Sequence, residues 1–143
     1  MQQTSVHQNA YSNNLPILSK LAGAYKVWHS FFSTLPRSSR YTLAAKIDIL
    51  FADTIELLLI ASYSQRNDKI FLLEKATQKL DSLKFFLQIA WEIKALDNNK
   101  YLAVSAPLNE VGKMLGGWRK QVERALQPAQ GKQNSLHPKW REK

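Results

Sequence analysis

Lys113, Gly117, Lys120 and Arg124 fall within about 60° of one another when their segment is turned as a helix at about 100° per residue. Cations spaced this way can hold successive phosphates as point charges, and a glycine among them lets a strand approach the backbone. The same pattern arises on any solvated helix face, and Lys and Arg near a helix C-terminus complement its dipole. The ridge alone leaves both readings open. Gly112 and Gly116 lie on a lateral face, with Arg119 towards that side. Each glycine in a helix interior costs roughly 1 kcal/mol relative to Ala. Yet Leu108, Val111, Leu115, Trp118, Val122 and Leu126 continue at helical spacing through the segment. A chain that keeps its period at that cost needs something close to the backbone of Gly112, Gly116 and Gly117: a neighbouring helix, another subunit or a phosphate. Trp118 shares the phase of Leu115 and Val122, so it reads as a core anchor rather than a platform for stacking bases.

Other constellations offer little chemistry. The histidines, His7, His29 and His137, are scattered, which gives neither a metal cluster nor a nucleophile–base pair. Glu56 and Glu92 sit in apolar surroundings, where carboxylates more often lie at a helix edge or pair with Lys than act as an acid–base couple. The glycines from 112 to 117 follow helical residues and lack the strand that precedes a phosphate-cradling loop. With no cysteine there is no disulfide framework and no thiolate metal site. The expectation is a non-enzyme with no cofactor, no metal and no small-molecule substrate.

Four helical patterns must position these residues. The first carries Leu18, Leu21, Tyr25, Trp28, Phe32 and Leu35 and stops at Pro36, which disfavours helix in the residue before it. The second carries Leu43, Ile47, Leu50, Thr54, Leu57 and Ala61, with Ser38 or Ser39 as a possible cap. The third, capped by Asn67 or Asp68, carries Leu73, Ala76, Leu80, Leu83, Leu87 and Ala90, and Asp97-Asn98-Asn99 ends it. The fourth bears the glycines. It starts either at Ser105, with Pro107 in the first turn, or near Lys100 with a bend at the proline. Apolar steps alternating between three and four residues are the seam of antiparallel helices packed at small crossing angles. The fold class is therefore all-α, an up-and-down antiparallel four-helix bundle over residues 15–126. A disordered segment precedes it over residues 1–14 and a flexible basic tail follows over 127–143. Residues 55–61, interrupted only by Glu56, and 85–93, interrupted only by Gln88 and Glu92, are more apolar than a bundle stripe requires. Either flanking segments cover them or another copy of the chain does. The aromatics Phe85 and Trp91 favour the second option and are the oligomer-interface candidates.

Twenty basic residues against 11 acidic ones give a net charge of +9 over 143 residues. Residues 113–143 alone hold eight basic and two acidic residues. That asymmetry points to a polyanion or an acidic surface as partner, solubility being the plainer reading. No apolar run approaches the ~20 residues of a membrane span, and residues 1–14 lack the basic start and apolar block of a signal peptide. A cytoplasmic protein away from membranes is the expectation.

Three stretches together resemble a known family: residues 112–118 (GKMLGGW), 35–43 (LPRSSRYTL) and 83–86 (LKFF). They are similar to the accessory variability determinant (Avd) proteins of diversity-generating retroelements, which belong with four-helix-bundle proteins encoded in ribosomal RNA intervening sequences. The other branch is usually marked by Asn-Ile-Ala-Glu-Gly in the second helix. Thr54-Ile55-Glu56-Leu57-Leu58 stands there in this chain and favours the Avd branch. The resemblance implies a bacterial or phage-encoded, basic homopentameric barrel of four-helix bundles. It would bind the retroelement's reverse transcriptase and help copy template RNA into adenine-mutagenised cDNA, with no catalytic activity of its own. The family's Pro-basic-x-x-Arg turn falls on Pro36, Arg37 and Arg40, and its glycine motif on Gly112, Gly116, Gly117 and Trp118. Where the family commonly has a basic–acidic pair, this chain has Ser38-Ser39. The nucleic-acid or partner-binding candidates are thus Arg37, Arg40, Lys113, Arg119, Lys120 and Arg124. The alternatives are an orphan bundle that binds structured or ribosomal RNA, and an oligomeric scaffold whose charge serves solubility alone.

Overall fold

The computed structural model describes residues 15–136, with side chains from residue 16 to 126. The segments 1–14 and 137–143, given above to a disordered N-terminus and to the end of a basic tail, lie outside the described residues. Four long helices make the bundle: α1 (Leu15–Phe31), α3 (Leu43–Tyr63), α4 (Arg66–Glu92) and α5 (Asn98–Leu136). A 3-10 turn (Phe32–Thr34) and a one-turn helix, α2 (Arg37–Arg40), join α1 to α3. No strand occurs among the described residues. Short connections leave consecutive long helices no choice but to run antiparallel. α3 packs on α4, α4 on α5 and α5 on α1, whereas α1 and α3 meet much less closely.

The expected seam of α4 is buried in full, from Leu73 through Ala76, Leu80, Leu83 and Leu87 to Ala90. Two other helices are rotated slightly from expectation. In α1 the buried stripe is Ile17, Leu21, Ala24 and Trp28, with Leu18 and Tyr25 packed at its edge and Phe32 following in the 3-10 turn. In α3 Leu58 is buried and Leu57 lies at the edge. Thr54, in the same core, satisfies its hydroxyl by donating to the Leu50 carbonyl at 2.6 Å, the back-bonding open to Thr inside a helix.

The caps differ from the sequence reading. Ser38 and Ser39 lie inside α2, and α3 starts after Thr42 with no side-chain cap. Asn67 and Asp68 lie inside the first turn of α4, which begins at Arg66; there Asp68 complements the helix dipole. α4 ends at Glu92, earlier than the Asp97-Asn98-Asn99 cluster. Lys94 turns the chain with a left-handed φ of 64°. The N–H groups of Ala95 and Leu96 then both donate to the Ala90 carbonyl, at 2.9 and 3.1 Å. Buried Leu96 pins that turn to the core. Asp97 is a start signal, because its Oδ1 accepts the Lys100 N–H at 2.8 Å and caps α5. The helix therefore starts at Asn98, close to the earlier of the two starts considered, and Pro107 lies inside it. Proline offers no N–H to the carbonyl four residues back, at Ala103, and Ala103 is exposed, where water can serve that carbonyl. The backbone of α5 stays helical to Leu136, past the boundary expected at residue 127.

Candidate nucleic-acid interface

Core burial sets the rotation of α5. With Val104, Leu108, Val111, Leu115 and Val122 held inside, the helical period carries Lys113, Gly117, Lys120 and Arg124 outwards, and all four are exposed. Lys113 lies 3.6 Å from Glu110, both largely solvated, a pair of little strength. Lys120 and Arg124 make no salt bridge among the described residues. Trp118 is half-buried and packed against the core.

The three glycines differ in what surrounds them. A Cβ added at Gly112 would stand 2.8 Å from the Lys84 Nζ, whereas at Gly116 or Gly117 it would meet nothing within 4 Å. Only Gly112 has a close neighbour within the chain, and that neighbour is the end of a flexible lysine, which a Cβ would displace at little cost. Gly116 opens onto a cleft of about 500 Å³ between α4 and α5, with Leu80 and Leu115 at its base and Lys84, Lys113 and Arg119 on its walls. Arg119 is half-buried and 3.9 Å from Glu123.

The turn cations stand apart from this surface. Lys100, at the start of α5, donates to the Thr34 hydroxyl at 3.1 Å, which places the α1–α2 connection at that end of the bundle. At a rise of 1.5 Å per residue, Lys113 is about 20 Å further along α5 and Arg124 about 36 Å. The structure therefore groups Lys113, Lys120 and Arg124, sets Arg119 in the cleft with Gly112 and Gly116, and leaves Arg37 and Arg40 near the other end. Arg37 is exposed. Arg40 is engaged, its Nε donating to the Leu35 carbonyl at 3.0 Å and its Nη2 to the Ser33 carbonyl at 2.7 Å.

The profile of the bAvd-like family matches residues 17–122. The chain belongs to the bAvd-like family. The match runs from the first buried turn of α1 to Val122, the last buried residue of α5 among the side chains described, so it takes in both the Pro36–Arg37–Arg40 turn and the glycine motif. The Avd resemblance read from those motifs stands, and the bAvd-like chain is an Avd-type accessory protein. A search of curated proteins returns no match.

Two interface candidates on the bAvd-like chain fare differently. Phe85 is 60% exposed, on the outer face of α4, with Phe86 edge-on beside it at 6.3 Å. Trp91 is 39% exposed and is also engaged at the α4–α5 turn. Its ring stacks on Tyr101 at 5.2 Å, and its Nε1 donates to the Asn98 Oδ1 at 2.6 Å. Sequence reasoning missed two features. One is Lys84: residues 83–86 carry part of the family resemblance, but the reach of Lys84 to Gly112 has no periodic signature. The other is a groove of about 390 Å³ where α1 and α3 splay, lined by Tyr25, His29, Arg40, Tyr41, Asp48 and Ile49. Tyr25 there has its pKa held above the ordinary 10.0 by hydrogen bonding to Asp48, then by burial, then by the Asp48 charge. Among the described residues no cluster of His, Cys, Asp and Glu could hold a metal ion, and no helix is long and apolar enough to cross a membrane.

Proposed function

We propose that this bAvd-like protein is a non-catalytic accessory subunit of a diversity-generating retroelement. It binds the reverse transcriptase and the template RNA or its cDNA, acts in the cytoplasm as a homopentamer, and supports mutagenic reverse transcription. The observation that carries the nucleic-acid part is the outward ridge of α5: Lys113, Lys120 and Arg124 are exposed on one face around the bare backbone of Gly117. Such a ridge can follow a phosphate backbone with no sequence preference.

Charge reversal of the ridge, Lys113→Glu/Lys120→Glu/Arg124→Glu, tests this by filter binding. The fold should persist, because these positions point away from the seam. The wild type should bind RNA or DNA with a log–log salt slope near about −3 to −4, that of roughly four neutralised phosphates. The variant should lose most of that affinity. Unchanged affinity would remove the ridge from the reading, and the absence of saturable binding by the wild type would leave a scaffold. A tagged pull-down from native cells, with and without nuclease, tests the polymerase contact. A reverse transcriptase retained after nuclease supports direct binding, and RNA recovered without a polymerase favours the orphan RNA-binding bundle.

A further inference from the structure

We propose that the cleft between α4 and α5 is a phosphate seat, in which Lys84 meets the phosphodiester backbone of a single nucleic-acid strand. The inference rests on the nucleic-acid reading above and states where the strand lies. Lys84 carries it. Its half-buried side chain reaches from α4 to α5, where the ammonium lies 2.8 Å from the place a Cβ on Gly112 would take. Among the described residues no carboxylate lies within salt-bridge distance of it. The Lys84 ammonium stays in contact with water in the cleft and has no carboxylate partner, so an anion there gains a charge-assisted bond without displacing an existing ion pair of Lys84.

The other cations of the cleft are available too. Lys113 and Arg119 are held only by Glu110 at 3.6 Å and Glu123 at 3.9 Å, partly exposed pairs that a phosphate can replace. Asn109 adds an amide as a donor, whereas the Thr77 hydroxyl in the same lining donates to the Leu73 carbonyl at 2.8 Å. Asp81 stands on the rim and opposes an anion. At Gly116 the floor is bare, so the helix backbone is reachable from outside while nothing in the chain uses that access.

The test measures binding of the full chain to a labelled single-stranded RNA and to the matching DNA, each across a salt series, alongside melting temperature. Lys84→Met keeps the aliphatic stem and removes the charge. It should weaken binding by about tenfold and flatten the salt slope by about 1. Gly116→Leu fills the cleft without altering charge, and should weaken binding while the melting temperature holds or rises. Asp81→Asn should tighten it. Equal losses on RNA and DNA assign the seat to the phosphodiester itself, and a loss confined to RNA assigns it to the RNA strand. If the wild type binds but Lys84→Met and Gly116→Leu bind equally well, the cleft is overturned and the ridge reading survives. If the wild type binds neither strand, both fall. A Gly116→Leu protein with unchanged affinity and an altered native mass would give the cleft to a second copy, and would also overturn the proposal.

Discussion

The guanidinium of Arg40 and the carbonyl of Leu35 form a clamp. Nε donates to that oxygen at 3.0 Å while Nη2 takes the Ser33 carbonyl at 2.7 Å. The two carbonyls belong to the turn that ends α1, and Leu35 itself is buried. The planar fork of Arg suits two divergent acceptors, and Lys offers no such geometry. Arg40→Lys should therefore lower stability by about 1 to 2 kcal/mol in urea unfolding. Nucleic-acid affinity of the folded variant should not change. A loss of affinity at unchanged stability would return Arg40 to the binding surface.

Trp28 and Trp118 should separate in the same assay. Trp28 is 1% exposed and stacks on Phe51 with ring centroids 6.4 Å apart. Trp28→Ala should cost about 3 to 5 kcal/mol. Trp118 is only half-buried, so Trp118→Ala should cost about 1 to 2 kcal/mol. Equal losses would mean that Trp118 is buried in the assembled protein by a partner.

Tyr25 predicts an alkaline limb of stability. Its pKa in the fold is raised, first by hydrogen bonding to Asp48. The protonated phenol therefore favours the folded state. That contribution is complete below the ordinary value of 10.0 and is lost as pH rises through the folded value. Tyr25→Phe cannot ionise. Between about pH 8 and about pH 11 it should lose less stability than the wild type by denaturant unfolding. Parallel losses would show that Asp48 does not favour the protonated phenol.

Trp91 and Asn98 tie the end of α4 to the start of α5. Trp91→Phe keeps an aromatic ring against Tyr101 and deletes the 2.6 Å bond from Nε1 to the Asn98 Oδ1. The expected loss is about 1 kcal/mol, and faster amide exchange should appear first around Asp97 and Lys100.

The seam of α4 was legible because Ala76, Leu80 and Leu83 at its middle are each flanked by polar residues, as Leu80 is by Lys79 and Asp81, so one rotation buries them and the period carries it out to Leu73, Leu87 and Ala90. Leu57 and Leu58 carry the same side chain at adjacent positions, and only the neighbouring helices decide which turns inward. Asp97 serves equally well as the end of one helix or the cap of the next. The end of α4 is set instead by Lys94, a residue type that gives no hint of a left-handed turn. Composition shows Arg40 only as a cation. That its donors are spent on two carbonyls depends on a turn that folds back over several residues. The outward phase of Lys113, Lys120 and Arg124 was readable from the period alone, whereas the cleft beside them needs two helices in register.

The distance between the α1–α2 connection and the far end of the ridge fixes a footprint. About 36 Å of α5 separates Lys100, next to that connection, from Arg124. At about 100° per residue Lys100 also stands about 140° around α5 from Lys113. The cations of the two ends therefore face different sides of α5, and a strand that follows the ridge does not reach the α1–α2 connection.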